Sequence, residues 1–200
     1  MKLLLIFALA ILGSLNLNGQ INPMDKLFKD KPRDLTLYIN PTFQYSQIAL
    51  QRCKIVGLGG GVIINKKISL GVEYNSPLNN ITLPVSYGAG KLKMAWGGLH
   101  FEYTLWPLQK VHLSFPLSAG LGQMKITGNT GGTATGSPNF IYAEPGLMIE
   151  ANIWRYAKLD IGTSYRYTGA ISYDNLTEED IKGFAAVISL KFGMFRYSRH

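Results

Sequence analysis

The chain has 200 residues, a formal charge of +8, 46% hydrophobic content and one cysteine. This excludes a disordered polymer and a small domain stapled by internal disulfides. No segment approaches 18 consecutive apolar residues, so no transmembrane helix is expected.

At the amino terminus, Lys2 precedes an apolar run from Leu3 to Leu12, followed by Gly13, Ser14 and a polar stretch to Gln20. That order predicts a cleaved signal peptide over 1–20. A periplasmic N-terminal segment over 21–33, a barrel over 34–196 and a tail over 197–200 complete the expected organisation. Cys53 lies far from the cleavage site, which argues against a lipid-anchored cysteine. An exported chain seldom meets nucleic acid, so the positive charge points to lipid headgroups or an envelope protein as partner.

From residue 34 onward, eight segments alternate with a period of two, the pattern of half-buried strands. The first places Leu35, Leu37, Ile39, Phe43 and Tyr45 on one face, and the second, about 55–64, is diluted by Gly57, Gly59, Gly60 and Gly61. In the third, Ile68, Leu70, Val72 and Tyr74 oppose Ser69, Gly71 and Glu73. The fourth begins with Leu92, Met94 and Trp96 on even numbers and continues with Leu99, Phe101, Tyr103 and Leu105 on odd ones; a one-residue slip at Gly97 and Gly98 predicts a β-bulge. The fifth to eighth carry Val111 to Leu121, Ile141 to Ile153, Leu159 to Tyr165 and Phe184 to Met194 on their apolar faces. Pro41, Pro116 and Pro145 fall inside predicted strands, where bulges or local breaks are needed to accommodate them.

Short links at 65–67, 106–110 and 154–156 alternate with long ones at 76–90, 127–139 and 169–182. An even strand count, tight turns on one end and long loops on the other predict an all-β fold: an eight-stranded antiparallel up-and-down transmembrane β-barrel. A soluble lipocalin-like carrier shares the periodicity. The non-apolar face is mostly Gly, Ser and Thr, which suits a narrow lumen better than water, so the Leu, Ile, Val and Phe face is expected to meet lipid. Aromatic girdles are expected from Trp106, Trp154, Tyr156 and Phe195 at the short-turn end and from Phe43, Tyr45, Tyr74, Tyr165 and Tyr167 at the long-loop end. Basic residues, among them Lys66, Lys67, Lys110, Arg155 and Lys158, gather at the short-turn end.

The string Gly97-Gly98-Leu99-His100-Phe101-Glu102-Tyr103 resembles a block of a small outer-membrane β-barrel family of the Bacteroidota, OmpA/OmpX-like in architecture. So do Val111 to Ser114, Glu144-Pro145-Gly146, Gly162 to Tyr167 and Leu190 to Gly193, a span of about 55–195. The resemblance implies an outer-membrane barrel and carries no activity. Such barrels often finish on a terminal aromatic, whereas here Phe195 is followed by Arg196 to His200.

Hairpin positions set Glu144 opposite Arg166, Glu150 opposite Asp160 with Lys158 one diagonal away, Glu102 opposite Ser114 and Thr104 opposite His112. With Glu73, Lys93, His100 and Lys191, these predict an interior polar network that plugs the lumen. His100, Glu102 and Ser114 also hold the groups of a hydrolase triad, but their lower-half interior position is wrong for a lipid substrate. His100 and His112 lack metal-ligand spacing, and Asp174, Glu178, Glu179 and Asp180 lack that of a calcium loop. No catalytic, metal or cofactor site is expected. The sequence predicts a non-enzymatic outer-membrane barrel, structural or accessory in the cell envelope, that contacts outer-membrane lipids, with another envelope protein as a further candidate partner, but not nucleic acid. A lipid-modifying enzyme and a periplasmic carrier are the alternatives.

Overall fold

Alternating side chains form strands, but each strand must then pair both its edges, and closing the sheet on itself leaves none exposed. A computed structural model describes residues 34–83, 90–128, 139–169, 172–173 and 176–195. The signal peptide, the 21–33 segment and the tail lie outside the described residues.

In chain order the strands are β1 (Leu35–Ile48), β2 (Gln51–Ile64), β3 (Ile68–Pro77), β4 (Ile81–Thr82), β5 (Gly90–Leu105), β6 (Val111–Gly128), β7 (Asn139–Trp154), β8 (Ala157–Thr168), β9 (Ser172–Tyr173), β10 (Leu176–Thr177) and β11 (Gly183–Gly193). Eight long strands close a ring: β1 pairs with β2 and β11, β3 with β2 and β5, and β6, β7 and β8 follow in order to β11. Every pairing is antiparallel, so this is the closed up-and-down barrel. β4 adds a short pairing to the end of β5, and β9 with β10 forms a separate ribbon in the β8–β11 connection.

At the loop end, β1 and β2 join through Ala49 and Leu50 alone, with φ of 48° and 62°. Two consecutive positive φ angles make the tight hairpin turn whose twist matches its strands. A hydrogen bond from the Ala49 N–H to the Asp180 carbonyl (2.6 Å) ties this turn to the β8–β11 connection.

Each proline sits in a strand that keeps its register. Pro41 faces Leu58 in the β1–β2 ladder, while the β1–β11 ladder passes from Ile39↔Phe192 directly to Thr42↔Ser189. The β6–β7 ladder passes from Ser114↔Met148 to Leu117↔Pro145, and β7–β8 from Ala143↔Tyr167 to Gly146↔Ser164. The prolines are thus accommodated by local ladder breaks on one edge, not by bulges, because register is identical on both sides of each gap. Gly146 belongs to the same solution: a Cβ there would meet the Pro116 ring at 2.9 Å. The one register shift recorded among these pairings lies at Asn152 and Trp154, beside the β7–β8 turn.

The expected bulge at Gly97 and Gly98 is absent. β5 and β6 pair without interruption from Gly90↔Gly128 to Leu105↔Leu113. Even-numbered β5 side chains point inward throughout, from Leu92, Met94 and Trp96 to Glu102 and Thr104. What changes at Gly97–Gly98 is the chemistry of the lumen, not the direction of the chain.

Candidate functional site

The lower lumen, toward the short turns, is built around one ammonium group. Lys191, on the inward parity of β11, places Nζ 2.6 Å from Glu102 Oε1, 2.6 Å from Glu150 Oε2 and 3.1 Å from Asp160 Oδ2. Glu150 also accepts from Lys158 Nζ (2.7 Å) and lies 2.6 Å from His112 Nε2. Ser189 donates to Asp160, and Ser69 to Glu102. Six strands, β3, β5, β6, β7, β8 and β11, converge on this point, and charges so buried persist only when paired and hydrogen-bonded. Glu102, Glu150 and Asp160 bring their oxygens within 4.8 Å of one another, the spacing of a cation site. Lys191 itself supplies the cation there.

Higher in the lumen, Glu144 accepts from Ser164 (2.6 Å) and from Arg166 Nε (3.3 Å). Glu73 accepts from Asn75 and Tyr142 and pairs with His100 at 3.3 Å. A chamber of about 50 Å³ lies among Asn40, Gln44, Glu73, His100, Ser118 and Asp160. That is room for one or two waters in a polar setting.

Above the chamber the lumen turns apolar. The Arg166 guanidinium lies 4.4 Å from the centroid of the Trp96 ring, forming the floor of this region. Trp96 packs in a buried cluster with Ile48, Cys53, Ile55, Leu92, Met124 and Phe140. Gly122 makes the space, since a Cβ there would collide with the Phe140 ring. Leu176 and Ile181 belong to the same buried cluster, so the β8–β11 connection closes the mouth. Its surface is pinned by Lys182, which donates to Glu179 (2.8 Å) and Glu178 (3.1 Å); these hydrogen bonds hold its ammonium above the ordinary lysine range. Cys53 is buried and free.

The sequence-predicted residues divide accordingly. Glu73, His100, Glu102, Glu144, Glu150, Asp160, Arg166 and Lys191 line the lumen, and Glu144 and Arg166 meet as spaced. Lys93 does not: it is exposed on the outer wall, because β5 keeps its parity where a slip was expected. Ser114 is fully buried but faces Thr104, and Glu102 faces Pro116, since the β5–β6 turn lies one residue later than assumed. The triad groups therefore stay apart. His100 Nδ1 contacts both Ser118 (3.0 Å) and Glu73 (3.3 Å), and a relay needs its two nitrogens on different partners.

Of the aromatic positions, Phe43, Tyr45, Tyr74, Trp106, Trp154 and Tyr167 are exposed on the wall, and Tyr156 and Tyr165 are partly covered. Trp154 packs edge-on against Tyr156, and Tyr165 against Phe184. Phe195 is not in a girdle. It is buried with Tyr38 and Ile63 at the lower end of the lumen, with Lys158 Nζ 4.9 Å from its ring. The β11 parity explains this: odd numbers from Ala185 to Lys191 point inward, and Phe195 continues them. Lys158 likewise belongs to the interior, not to the basic rim.

On the wall, Leu37, Val72, Leu99, Leu121, Ile141, Ile161 and Phe184 are all more than half exposed. An apolar wall around a lumen whose lower half is ionic reverses the polarity of a soluble carrier and fits lipid.

No family model and no curated protein matches the sequence. Solved structures do match the fold. The chain is similar to Neisserial surface protein A with a TM-score of 0.59 at 13% identity, covering 81% of this chain and 99% of that one. It is also similar to the N-terminal β-barrel domain of Pseudomonas aeruginosa OprF, with a TM-score of 0.53 at 14% identity over 79% and 96% of the two chains. Against Yersinia pestis Ail, solved with the heparin analogue sucrose octasulfate, the TM-score is 0.50 at 13% identity over 80% and 97%. The fold is that of the small outer-membrane β-barrels.

Proposed function

We propose that this protein resides in the outer membrane of a Gram-negative cell after signal-peptide-dependent export and works there without catalysis or conduction, as a structural or docking component of the envelope. The observation that carries this reading is the double closure of the lumen. An ion entering from the short-turn side meets Lys191 bound by three carboxylates, and beyond the chamber it meets Trp96, Leu92 and the mouth-closing Leu176 and Ile181. With the interior filled, what remains for function is the outer wall and the loops. The separation of His100, Glu102 and Ser114 supports the absence of hydrolase chemistry.

The test is crosslinking in intact cells followed by purification in mild detergent. A reproducible envelope-protein partner, lost when the 129–138 loop is shortened, is the expected result. A barrel that always purifies alone counts against docking. Resolved single-channel steps in planar bilayers refute the closed lumen, and altered lipid A mass spectra in a deletion strain refute the non-enzymatic role.

A further inference from the structure

Charged side chains on the barrel strands are sorted by sign between the two faces. All five carboxylates on the described strands, Glu73, Glu102, Glu144, Glu150 and Asp160, point inward. The charged strand residues exposed on the wall are all cations: Arg52, Lys54, Lys91, Lys93 and Lys125. They occupy one sector, β2 with β5 and β6, and all lie at the loop end.

Ladder geometry places them in two rows. Lys93 and Lys125 are direct cross-strand partners. Lys54 lies beside Leu78, whose N–H donates to the Lys54 carbonyl (2.8 Å), and the end of β3 still runs along β5 through the Ser76 hydroxyl to the Met94 carbonyl (3.4 Å). Lys54, Lys93 and Lys125 thus share one row, with Tyr45 adjoining as the partner of Lys54. Arg52 and Lys91 stand one row higher. Two residues down the strands, Ala95 and Gln123 form a narrow step, and from Gly97 and Leu121 the wall is apolar.

Like charges directly opposite on a sheet repel, and a shared anion relieves that repulsion. Among the described residues none of these five cations has a carboxylate partner on the wall. The two connections that leave these strands, 78–89 and 129–138, contain no Asp or Glu in the sequence, and in the β8–β11 connection Glu178 and Glu179 accept from Lys182 while Asp180 accepts from Thr177. An anion from outside the chain can therefore lie against this row.

We propose that Lys54, Lys93 and Lys125, with Arg52 and Lys91 above them, bind the phosphate groups of phosphorylated lipid headgroups in the leaflet at the long-loop end. This rests on the reading that the barrel spans a membrane with its long loops outward. The row sits where acyl chains give way to headgroups, so a phosphate can meet the ammonium groups while its chains cover Leu121, Leu99 and Leu58. Cations near a charged lipid surface each add to binding, and strand pairing holds these at fixed spacing.

The test uses the full-length protein, with its signal peptide removed, refolded into phosphatidylcholine vesicles with and without a minor fraction of bisphosphorylated lipid A. Insertion is checked separately by resistance to carbonate extraction. Wild type is expected to gain thermal stability with bisphosphorylated lipid A and to retain it in native mass spectra, and dephosphorylated lipid A is expected to do neither. The double variant Lys93→Gln with Lys125→Gln is expected to insert normally and to be at least as stable as wild type in phosphatidylcholine alone. It should retain lipid A about tenfold less well or worse. Lys66→Gln with Lys67→Gln, at the opposite end, should leave retention unchanged. Equal stabilisation by dephosphorylated lipid A, by inorganic phosphate alone, or in the Lys93/Lys125 variant overturns the proposal while leaving the barrel reading intact. Failure of wild type to insert overturns the barrel reading itself.

Discussion

The two halves of the lumen are filled by opposite means. In the lower half, Lys191 binds Glu102, Glu150 and Asp160, and Lys158 and His112 complete the shell around Glu150. In the upper half, Trp96, Leu92, Met124 and Phe140 fill the space with large apolar side chains. The ionic half is specific in its partners and intolerant of losing one, since a lone buried charge is costly. The apolar half tolerates exchange of shape but not loss of volume. Arg166 joins them, bound to Glu144 on one side and stacked on Trp96 on the other.

Substitutions can break this contrast. The largest effect is expected for Lys191→Met, which leaves three carboxylates facing one another without their common cation. A loss of about 3–5 kcal/mol follows from breaking a buried pair, read by urea unfolding in vesicles. Adding Glu102→Gln and Asp160→Asn should recover much of it, and if the triple variant is no more stable than the single one, charge is not what the lower plug balances. In the upper half, Leu92→Ala should cost about 2–5 kcal/mol by leaving a cavity, with no rescue from any charge change. Gly146→Ala adds a methyl group against Pro116 and should cost about 1–3 kcal/mol through overpacking. It would be neutral if the ladder break gives the ring room to move.

Smaller effects sharpen the contrast between plug and girdle. Phe195→Ala should destabilise the lower end more than Trp154→Ala does in the same vesicles, since Phe195 is packed inside and Trp154 is 63% exposed. The reverse order would return Phe195 to the wall. The smallest effect concerns the mouth. Because folding raises the Lys182 ammonium above its ordinary range, its contribution is complete below the unfolded value and fades as pH rises through the folded one. Amide exchange near 178–182, corrected for its intrinsic pH dependence, should therefore show lower protection only in strongly alkaline buffer, and Lys182→Ala should abolish that dependence.

How much of this was legible in the sequence depends on the residue. The wall could be read strand by strand, because alternation is a local property and Leu37, Leu99 or Ile161 declares its face through its immediate neighbours. Glu144 with Arg166 and Glu150 with Asp160 could be read because one tight turn sets their register. Lys93 was misplaced because Leu92, Met94 and Trp96 look like a wall when they line an apolar lumen. Constant parity through Gly97 and Gly98 was the signal that could have placed it. Phe195 was misplaced although β11 parity already grouped it with Lys191. Both errors came from judging a face by its polarity alone.

The sequence by itself determined the strand period, the alternation of turns and loops and the direction of most side chains, since these follow from backbone geometry over a few residues. Only the closed tertiary structure decided that the lumen is ionic below and apolar above. Lys191 and Glu102 are 89 residues apart and meet because the first and last strands pair. The same closure, by drawing the carboxylates of the described strands inward, left Lys54, Lys93 and Lys125 on the wall with no carboxylate partner among the described residues.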